Sequence, residues 1–348
     1  MVRSQLATQQ PVRHRRREPA GGYRVRRIVY GLFYNGRIAG GHKMILRHVE
    51  TLRDLGFDAV CHLGKGSGTP DWFDHRAPVV ADGLISRHED IVVLPDDGTD
   101  AIRSCAAAGV RTVVLVQNPY YFAASESFEA LDGFPTGAFP TLLAVAPGLA
   151  ATLRRLFPQA QVAVTPCFAD ERIFAPAAEK SRTIVYTPRK RQVESQAIRH
   201  LFPRLHPNHA DLGWAELNEA PELAVAKAFG EASLFLSLSR LESVGMTPLE
   251  AMAAGCVCAG FTGVGGREYA TPENGFWADE DDCEMAADAL ATAADLVKTG
   301  GAPLARHIEA GRETAARWSH AAFRTALEAF WMTHAPEARL REGPLDPP

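Results

Sequence analysis

Short apolar runs, each ending in glycine, proline or charge, alternate along this chain with stretches of helical periodicity. RIVYGL (27–32), DAVCHL (58–63), DIVVLP (90–95) and TVVLVQNP (112–119) read as strands. Apolar residues at consecutive positions predict strands buried on both faces, as in a parallel sheet. TLLAVAP (141–147) and QVAVTP (161–166) continue the pattern, and TIVYTP (183–188), LGWAEL (212–217), SLFLSLS (233–239) and CVCAGF (256–261) extend it into the second half. Between the first two runs, Met44, Ile45, Val49, Leu52 and Leu55 recur at helical spacing after the pair Gly40-Gly41, and Gly56 ends the helix. Shorter helices are predicted around 101–108, 195–201 and 220–229, and longer ones over 281–299 and 306–331. Strands alternating with helices predict an α/β protein with doubly wound parallel sheets.

The segment FADERIFAPAAEKSR (168–182) interrupts this rhythm with small and charged residues, and predicts a domain boundary near 176–181. A chain of 348 residues has room for two ordinary domains. The predicted division is a Rossmann-like domain over 27–178, a second over 179–316 and a terminal helix over 317–334. Disordered tails are predicted at 1–26 and 335–348.

Composition narrows the class only a little. The hydrophobic share of 46% and charged share of 22% are those of a soluble globular protein. A net charge of -4 gives no nucleic-acid signal. Six cysteines lack metal-like spacing and follow no secretory signal, so reduced buried thiols in a cytoplasmic protein are expected. Cys256 and Cys258 alternate in a strand and would share a face. No apolar run approaches membrane-spanning length. The N-terminal stretch sets Arg13, Arg15, Arg16, Arg17, Arg24, Arg26 and Arg27 against Glu18. It reads as a solvated basic tail, or as one that touches anionic lipid headgroups at the inner membrane face.

The densest chemistry lies in LESVGMTPLEAMAAGC (241–256), between two predicted strands. Glu242 and Glu250 stand there with seven residues between them. Thr247 is a plausible N-cap, Pro248 suits the first helical position, and Glu250 falls three after the cap, a capping-box pattern. Gly245 permits a tight turn and Gly255 a helix C-terminus. The amides of Gly245, Met246 and Thr247 would form an anion site at a helix start. Capping accounts for Glu250 alone; it leaves Glu242 either a solvated loop residue or a functional one.

That string resembles the Glu–seven–Glu signature of retaining glycosyltransferases of the family 4 type, which have the GT-B fold: two Rossmann-like domains facing a central cleft, which by this resemblance makes 27–178 the acceptor domain and 179–316 the nucleotide-sugar domain. GVGGREY (263–269) and Glu273-Asn274-Gly275 are also similar to that family. The resemblance implies that Glu242 lies at the reacting centre, that Glu250 binds the ribose hydroxyls of a nucleotide, and that Gly245, Met246 and Thr247 hold sugar and diphosphate. It implies that Gly40 and Gly41 approach the donor phosphates. Asp170, Phe174 and Pro176 match the family's connection between domains, though the asparagine-glycine usual ahead of that aspartate is absent. Arg189 matches a diphosphate-binding arginine. The lysine that follows it in the family is missing, because Glu194 stands near its place; Lys190 or Arg191 would substitute. Gln117 and Asn118 end a first-domain strand, with Tyr120 and Tyr121 behind, and could bind or stack on a sugar. The histidine common near that position is absent, which leaves His42 as the nearest candidate. Trp318, Phe323 and Phe330 would carry the terminal helix back to the first domain.

The implied activity is transfer of a hexosyl or pentosyl unit from a nucleotide diphosphate sugar to an acceptor hydroxyl, with retention, in glycan or glycoconjugate biosynthesis. The expected partners are that donor and an acceptor glycan, lipid-linked sugar or small molecule, and no nucleic acid. No cofactor beyond the donor is expected. No metal is expected either, because the acidic runs Asp96-Asp97 and 279–282 lack a context for ligation. A sugar-nucleotide epimerase or hydrolase of the same fold, or a non-catalytic nucleotide-sugar-binding module, are the alternatives. A nicotinamide-dependent oxidoreductase does not fit, since the GxGxxG fingerprint and its following acid are missing.

Overall fold

The computed structural model describes residues 26–340 apart from Asp82 and Leu84. The stretch with Arg13, Arg15, Arg16, Arg17 and Arg24, and with it the expectation of a lipid-contacting tail, lies outside the described residues. Arg27 belongs to no tail: its guanidinium donates to both oxygens of the buried Asp90 at 3.0 and 2.9 Å.

Two sheets of parallel strands organise the chain. The first contains β1 (Arg27–Leu32), β2 (Ala59–Leu63), β3 (Val79–Val80), β4 (Asp90–Pro95), β5 (Thr112–Val116), β6 (Thr141–Ala144) and β7 (Val162–Val164), in the order β3-β2-β1-β4-β5-β6-β7. The second contains β8 (Ser181–Tyr186), β9 (Gly213–Glu216), β10 (Ala232–Leu238), β11 (Val257–Phe261) and β12 (Gly275–Ala278), in the order β12-β11-β10-β8-β9. Every residue of β4, β5, β10 and β11 is buried, which is why these segments are continuous apolar runs. In each sheet the chain winds one way and then reverses. The reversal falls between β1 and β4 in the first sheet and between β8 and β10 in the second. Crevices beyond the carboxyl ends of strands open at such reversals, and ligands bind there in open α/β sheets.

Three elements depart from the periodicity. β12 pairs with β11 in a stretch where no strand is predicted, ahead of the helix expected from 281; at four residues, beginning with glycine, it leaves no apolar run to read. The helix predicted over 306–331 is two helices, Gly301–Ala316 and His320–His334. Ser319 ends the break by capping the second helix, accepting from the Ala322 amide at 3.2 Å. The predicted tail from 335 also starts too early: Asp58 donates to the Ala338 carbonyl at 2.9 Å and Leu340 to that of Gly56 at 2.8 Å.

The break in the terminal helices is where the chain returns to the first domain. Ala169, in the outgoing connection, bridges Ser319 and donates its amide to the Trp318 carbonyl at 2.8 Å, so both crossings meet. The helix His320–His334 then packs on the first-domain helix Gly40–Asp54, with Phe323, Leu327 and Trp331 fully buried. One apolar core consequently runs from the first sheet through the interdomain contact onto one face of the second sheet, and a separate cluster lies under its other face. Among the described residues no helix is long and apolar enough to cross a membrane.

The Phe323 ring lies 4.8 Å from the rings of both His48 and Phe168. Phe323→Ala should therefore cost roughly 3–5 kcal/mol in chemical denaturation; a loss below about 1 kcal/mol would show that the returning helix contributes little to the fold.

Candidate active site

A cavity occupies the reversal point of the second sheet. Thr187, Arg189 and Lys190 follow β8 into it, Ser239 and Glu242 follow β10, and Thr247 closes it from the next helix. Lys190 Nζ forms an ion pair with Glu242 Oε1, and both side chains are largely shielded from solvent. Arg189 Nη1 reaches across the cleft to donate to the Ile38 carbonyl of the first domain at 3.0 Å.

Arg191 has a different fate from its two neighbours. It is 2% exposed, donates to the Ser239 carbonyl at 2.9 Å and holds its guanidinium 4.4 Å from the centroid of the Phe261 ring. Glu194, Glu280 and Asp281 pair with it. Arg191 thus braces the loop after β10 from behind, and Lys190 is the cation beside Arg189 in the cavity. The same contacts engage Glu280 and Asp281 of the acidic run at 279–282, and Asp282 caps the helix Cys283–Thr299, accepting from Met285 N at 2.8 Å.

The helix after Glu242 starts earlier than its capping pattern suggests. It spans Met246–Ala253, with Gly245 as N-cap at φ 77° and no side-chain cap. Thr247 is therefore inside the helix and Pro248 at its third position, so Glu250 has no cap to complete. The shift has a physical cause. A φ in this region favours glycine, and the Gly245 carbonyl is fixed by the Tyr269 hydroxyl at 2.7 Å. A Cβ on Gly245 would also stand 3.2 Å from Glu242 Oε2. Tyr269 is held in turn by Asn274, whose amide donates to the Tyr269 carbonyl at 2.7 Å and to Thr314 Oγ1 at 3.1 Å. The first-turn amides remain without a side-chain acceptor, which keeps the positive end of the helix available to an anion.

Glu250 is turned instead toward the first domain, where it joins a buried ionic cluster. The helix Gly40–Asp54 supplies Lys43, whose Nζ lies 3.2 Å from Glu250 Oε1 and 2.9 Å from Glu222 Oε1. Arg47, one turn later, donates to Glu222 Oε2 at 3.0 Å and to Glu50 Oε2 at 2.8 Å. Lys43, Glu222 and Glu250 are 6, 5 and 7% exposed. Burial works against the charge on Lys43, yet two flanking carboxylates more than compensate and raise its pKa. Burial also raises the pKa of Glu250; Lys43 opposes that rise and the like charge of Glu222 adds to it. Sequence reasoning missed Lys43, Arg47 and Glu222. The available signal was the spacing of Lys43, Arg47 and Glu50, a polar stripe on a helix otherwise read for its apolar face.

The first-domain candidates meet protein atoms across the cleft. A Cβ on Gly40 would collide with Met246 Cε, and one on Gly41 with Gln117 Oε1. The glycine pair is thus closely approached, by side chains of both domains. Asn118 caps the helix Pro119–Ala123, accepting from Tyr120 N at 3.0 Å and Tyr121 N at 3.2 Å, while its Nδ2 donates to the Leu241 carbonyl at 2.9 Å. Its side-chain oxygen is thus spent on the helix cap, and one hydrogen of its amide nitrogen on the contact with the second domain. Ser243 Oγ donates to the Gln117 carbonyl beside it. His42 is half-buried and packs edge-on against Tyr34, with ring centroids 5.3 Å apart. Beneath this loop, buried Asp96 accepts both the Gln117 and Asn118 amides on Oδ2, at 2.9 and 2.8 Å. Burial pushes its pKa up to about 7 against the pull of those amides. Asp96 is thereby spent on positioning the loop.

Comparison with known proteins adds the wider context. The family model described as "Glycosyl transferases group 1" matches residues 217–313, the stretch that carries both glutamates, Tyr269 and Asn274. An alpha-1,6-glucosyltransferase of Actinobacillus pleuropneumoniae serotype 7 (strain AP76) is 25% identical over 278 residues, covering 77% of this chain and 83% of that protein. Among solved structures, a glycosyltransferase from Rickettsia africae ESF-5 superposes with a TM-score of 0.63 at 14% identity, over 89% of this chain and 99% of that one. An Anabaena protein in complex with UDP-glucose gives 0.63 at 13% identity, over 88% and 99%. Sucrose-phosphate synthase from Thermosynechococcus elongatus gives 0.61 at 15%, over 89% and 99%. The fold is GT-B. The family match and the curated relative, taken with it, support a glycosyltransferase.

Two outcomes follow from this GT-B cleft. Lys43→Met strands the buried Glu250 carboxylate and leaves Glu222 with Arg47 alone, and should cost roughly 3–5 kcal/mol in chemical denaturation; an unchanged midpoint would mean that the domains do not hold this contact in solution. Asp96 keeps its proton in the folded state up to about pH 7, against an ordinary value of 3.8. Its contribution to stability is then complete at acid pH and lost as pH rises through about 7, on the order of a few kcal/mol. Asp96→Asn retains an oxygen for both amides. Its melting temperature should gain on wild type between about pH 4 and 7 and the gap should then stay level; parallel melting curves across that window would show that the carboxyl is not perturbed.

Proposed function

We propose that the protein is a retaining, metal-independent glycosyltransferase that moves a sugar from a nucleotide diphosphate sugar to an acceptor hydroxyl. The observation that carries the reading is the convergence of Arg189, Lys190 and Glu242 on the cavity at the second sheet's reversal point, beside a helix start that no side chain caps. Departure of a nucleoside diphosphate develops negative charge on its phosphate oxygens, and oriented cations and amides stabilise charge where it develops. Arg189 and Lys190 meet the diphosphate in this scheme, together with the amides of Met246 and Thr247. Glu242, relieved of Lys190 by the phosphates, orients the sugar and supports the positive charge that develops on its anomeric carbon. Glu250 takes the ribose hydroxyls, sharing them with Lys43.

The bond from the anomeric carbon to the phosphate oxygen breaks and the bond to the acceptor oxygen forms on the same face. The departing phosphate oxygen takes the acceptor's proton, so no separate general base is needed and the anomeric configuration is kept. Closure of the two domains excludes water and limits hydrolysis. Arg189 supports that closure already, through its bond to the Ile38 carbonyl.

The naming of the curated relative as a glucosyltransferase, and the UDP-glucose bound to the Anabaena protein, make UDP-glucose the first donor to test. A thermal-shift screen of UDP, GDP, dTDP and ADP sugars, followed by product analysis with a carbohydrate acceptor, tests the function. No stabilisation by any of them would remove the transferase reading. With the donor in hand, Arg189→Ala should lower kcat about 10²-fold or more while leaving the melting temperature nearly unchanged. Undiminished turnover would overturn the diphosphate role.

A further inference from the structure

We propose that Glu222 is a positioning residue for the nucleotide. When a ribose diol engages Glu250, Glu222 takes over the Lys43 ammonium, so a carboxylate that does not touch the donor sets donor affinity. The inference rests on the transferase reading, which gives Glu250 to the ribose, and it names the residue that makes Glu250 available. Glu222 opens the helix Glu222–Glu231 of the second domain, yet its amide and both carboxylate oxygens bind the first. The amide donates to the Trp72 carbonyl at 2.9 Å. Oε1 holds Lys43 Nζ at 2.9 Å, closer than the 3.2 Å between Lys43 and Glu250, and Oε2 accepts from Arg47 at 3.0 Å. One face of the helix Gly40–Asp54 thus pins both of its oxygens.

Charge singles out Glu250 as the carboxylate to be released. Lys43 and Arg47 face the carboxylates of Glu50, Glu222 and Glu250. Without Glu250 the other four groups balance, two of each sign. Glu50 is held further by the Arg76 amide on Oε1. Glu222 stands in the first turn of its helix, whose positive end favours an anion. Glu250 stands in the second half of the helix Met246–Ala253, away from that end. Burial raises its pKa, and the like charges of Glu222 and Glu242 add to the rise against the pull of Lys43.

A ribose diol is neutral and brings hydrogen bonds but no charge. It can loosen Lys43 from Glu250 only if the ammonium keeps a carboxylate elsewhere, because a buried cation left alone is costly. Glu222 is that carboxylate, and Lys43 need only relax toward a partner it already touches. The ion pair between the domains then survives nucleotide binding.

Calorimetry on the full chain, with UDP as the first nucleoside diphosphate, and donor kinetics test the assignment. Glu222→Gln leaves Lys43 to Glu250 alone. It should weaken UDP and raise the donor KM about 10-fold or more, the worth of one hydrogen bond to a charged group, with kcat nearly unchanged. In a Lys43→Met background the same change should alter UDP affinity less than about 2-fold, because Glu222 acts through Lys43. A general loosening of the fold would weaken binding in both backgrounds. Should the glutamine variant not fold, Glu222→Asp decides: it keeps the charge one methylene further back and should weaken UDP about 2–5-fold. Unchanged affinity in the deciding variant, an equal loss in the Lys43→Met background, or a fall in kcat at constant KM would overturn the proposal. A wild type that binds no nucleoside diphosphate removes the transferase reading itself, whereas nucleotide binding that ignores Glu222 removes this inference alone.

Discussion

A single ammonium group shared by two buried carboxylates holds this molecule in the form described. Lys43 comes from the first domain, Glu222 and Glu250 from the second, and none of the three is more than 7% exposed. Removing charges from water is costly, and their mutual attraction offsets that cost only when the geometry is met in full. The cluster therefore ties the relative position of the domains to one helix face. It also keeps Glu250, the residue on which nucleotide recognition is proposed to rest, oriented before any ligand arrives. The continuous apolar core beneath it does the bulk of the cohesion; the ionic cluster decides register.

The same economy recurs around the cleft, where side chains that resemble binding groups brace one another. Asn118 caps a helix and reaches Leu241, Arg191 anchors the loop after β10, and Asp96 grips two amides. Tyr269 and Asn274 form a chain of hydrogen bonds that ends at the Gly245 carbonyl. Apart from those of Asn118, these contacts are buried or partly buried, where an unsatisfied polar group is expensive. Their joint effect is to leave Arg189, Lys190, Glu242 and a helix start facing the second sheet's reversal point, with Lys190 and Glu242 paired to each other and Arg189 bound only to the Ile38 carbonyl across the cleft. A site for a charged diphosphate needs such a small convergent set on a rigid frame.

The two sheets give two reversal points, and each has its own cavity. The one in the second domain is lined by Arg189, Lys190 and Glu242, and the larger one in the first domain by Phe33 among mostly charged side chains. This division follows from topology, because strand order alone fixes where crevices open. The residues that line them are a separate matter of loop sequence.

How much was legible in advance can be traced to particular residues. The buried parallel strands were readable because burial on both faces demands unbroken apolar runs, as in DIVVLP and SLFLSLS. That Glu242 and Arg189 belong to loops that meet at one cavity was readable because local motifs carry them. β12 was not, since four residues beginning at glycine show no periodicity, and Arg191 could not be told from Lys190 when adjacent charges look alike. The capping pattern at Thr247 misled because the choice of cap was made by Tyr269, 22 positions away. Sequence by itself determined the alternation of strand and helix and the local chemistry of each loop, since both depend on neighbours within a turn or two. Only tertiary structure decided which cation faces the cavity and where Glu250 finds its partner, because those contacts join residues from different strands and domains, and no local preference encodes them.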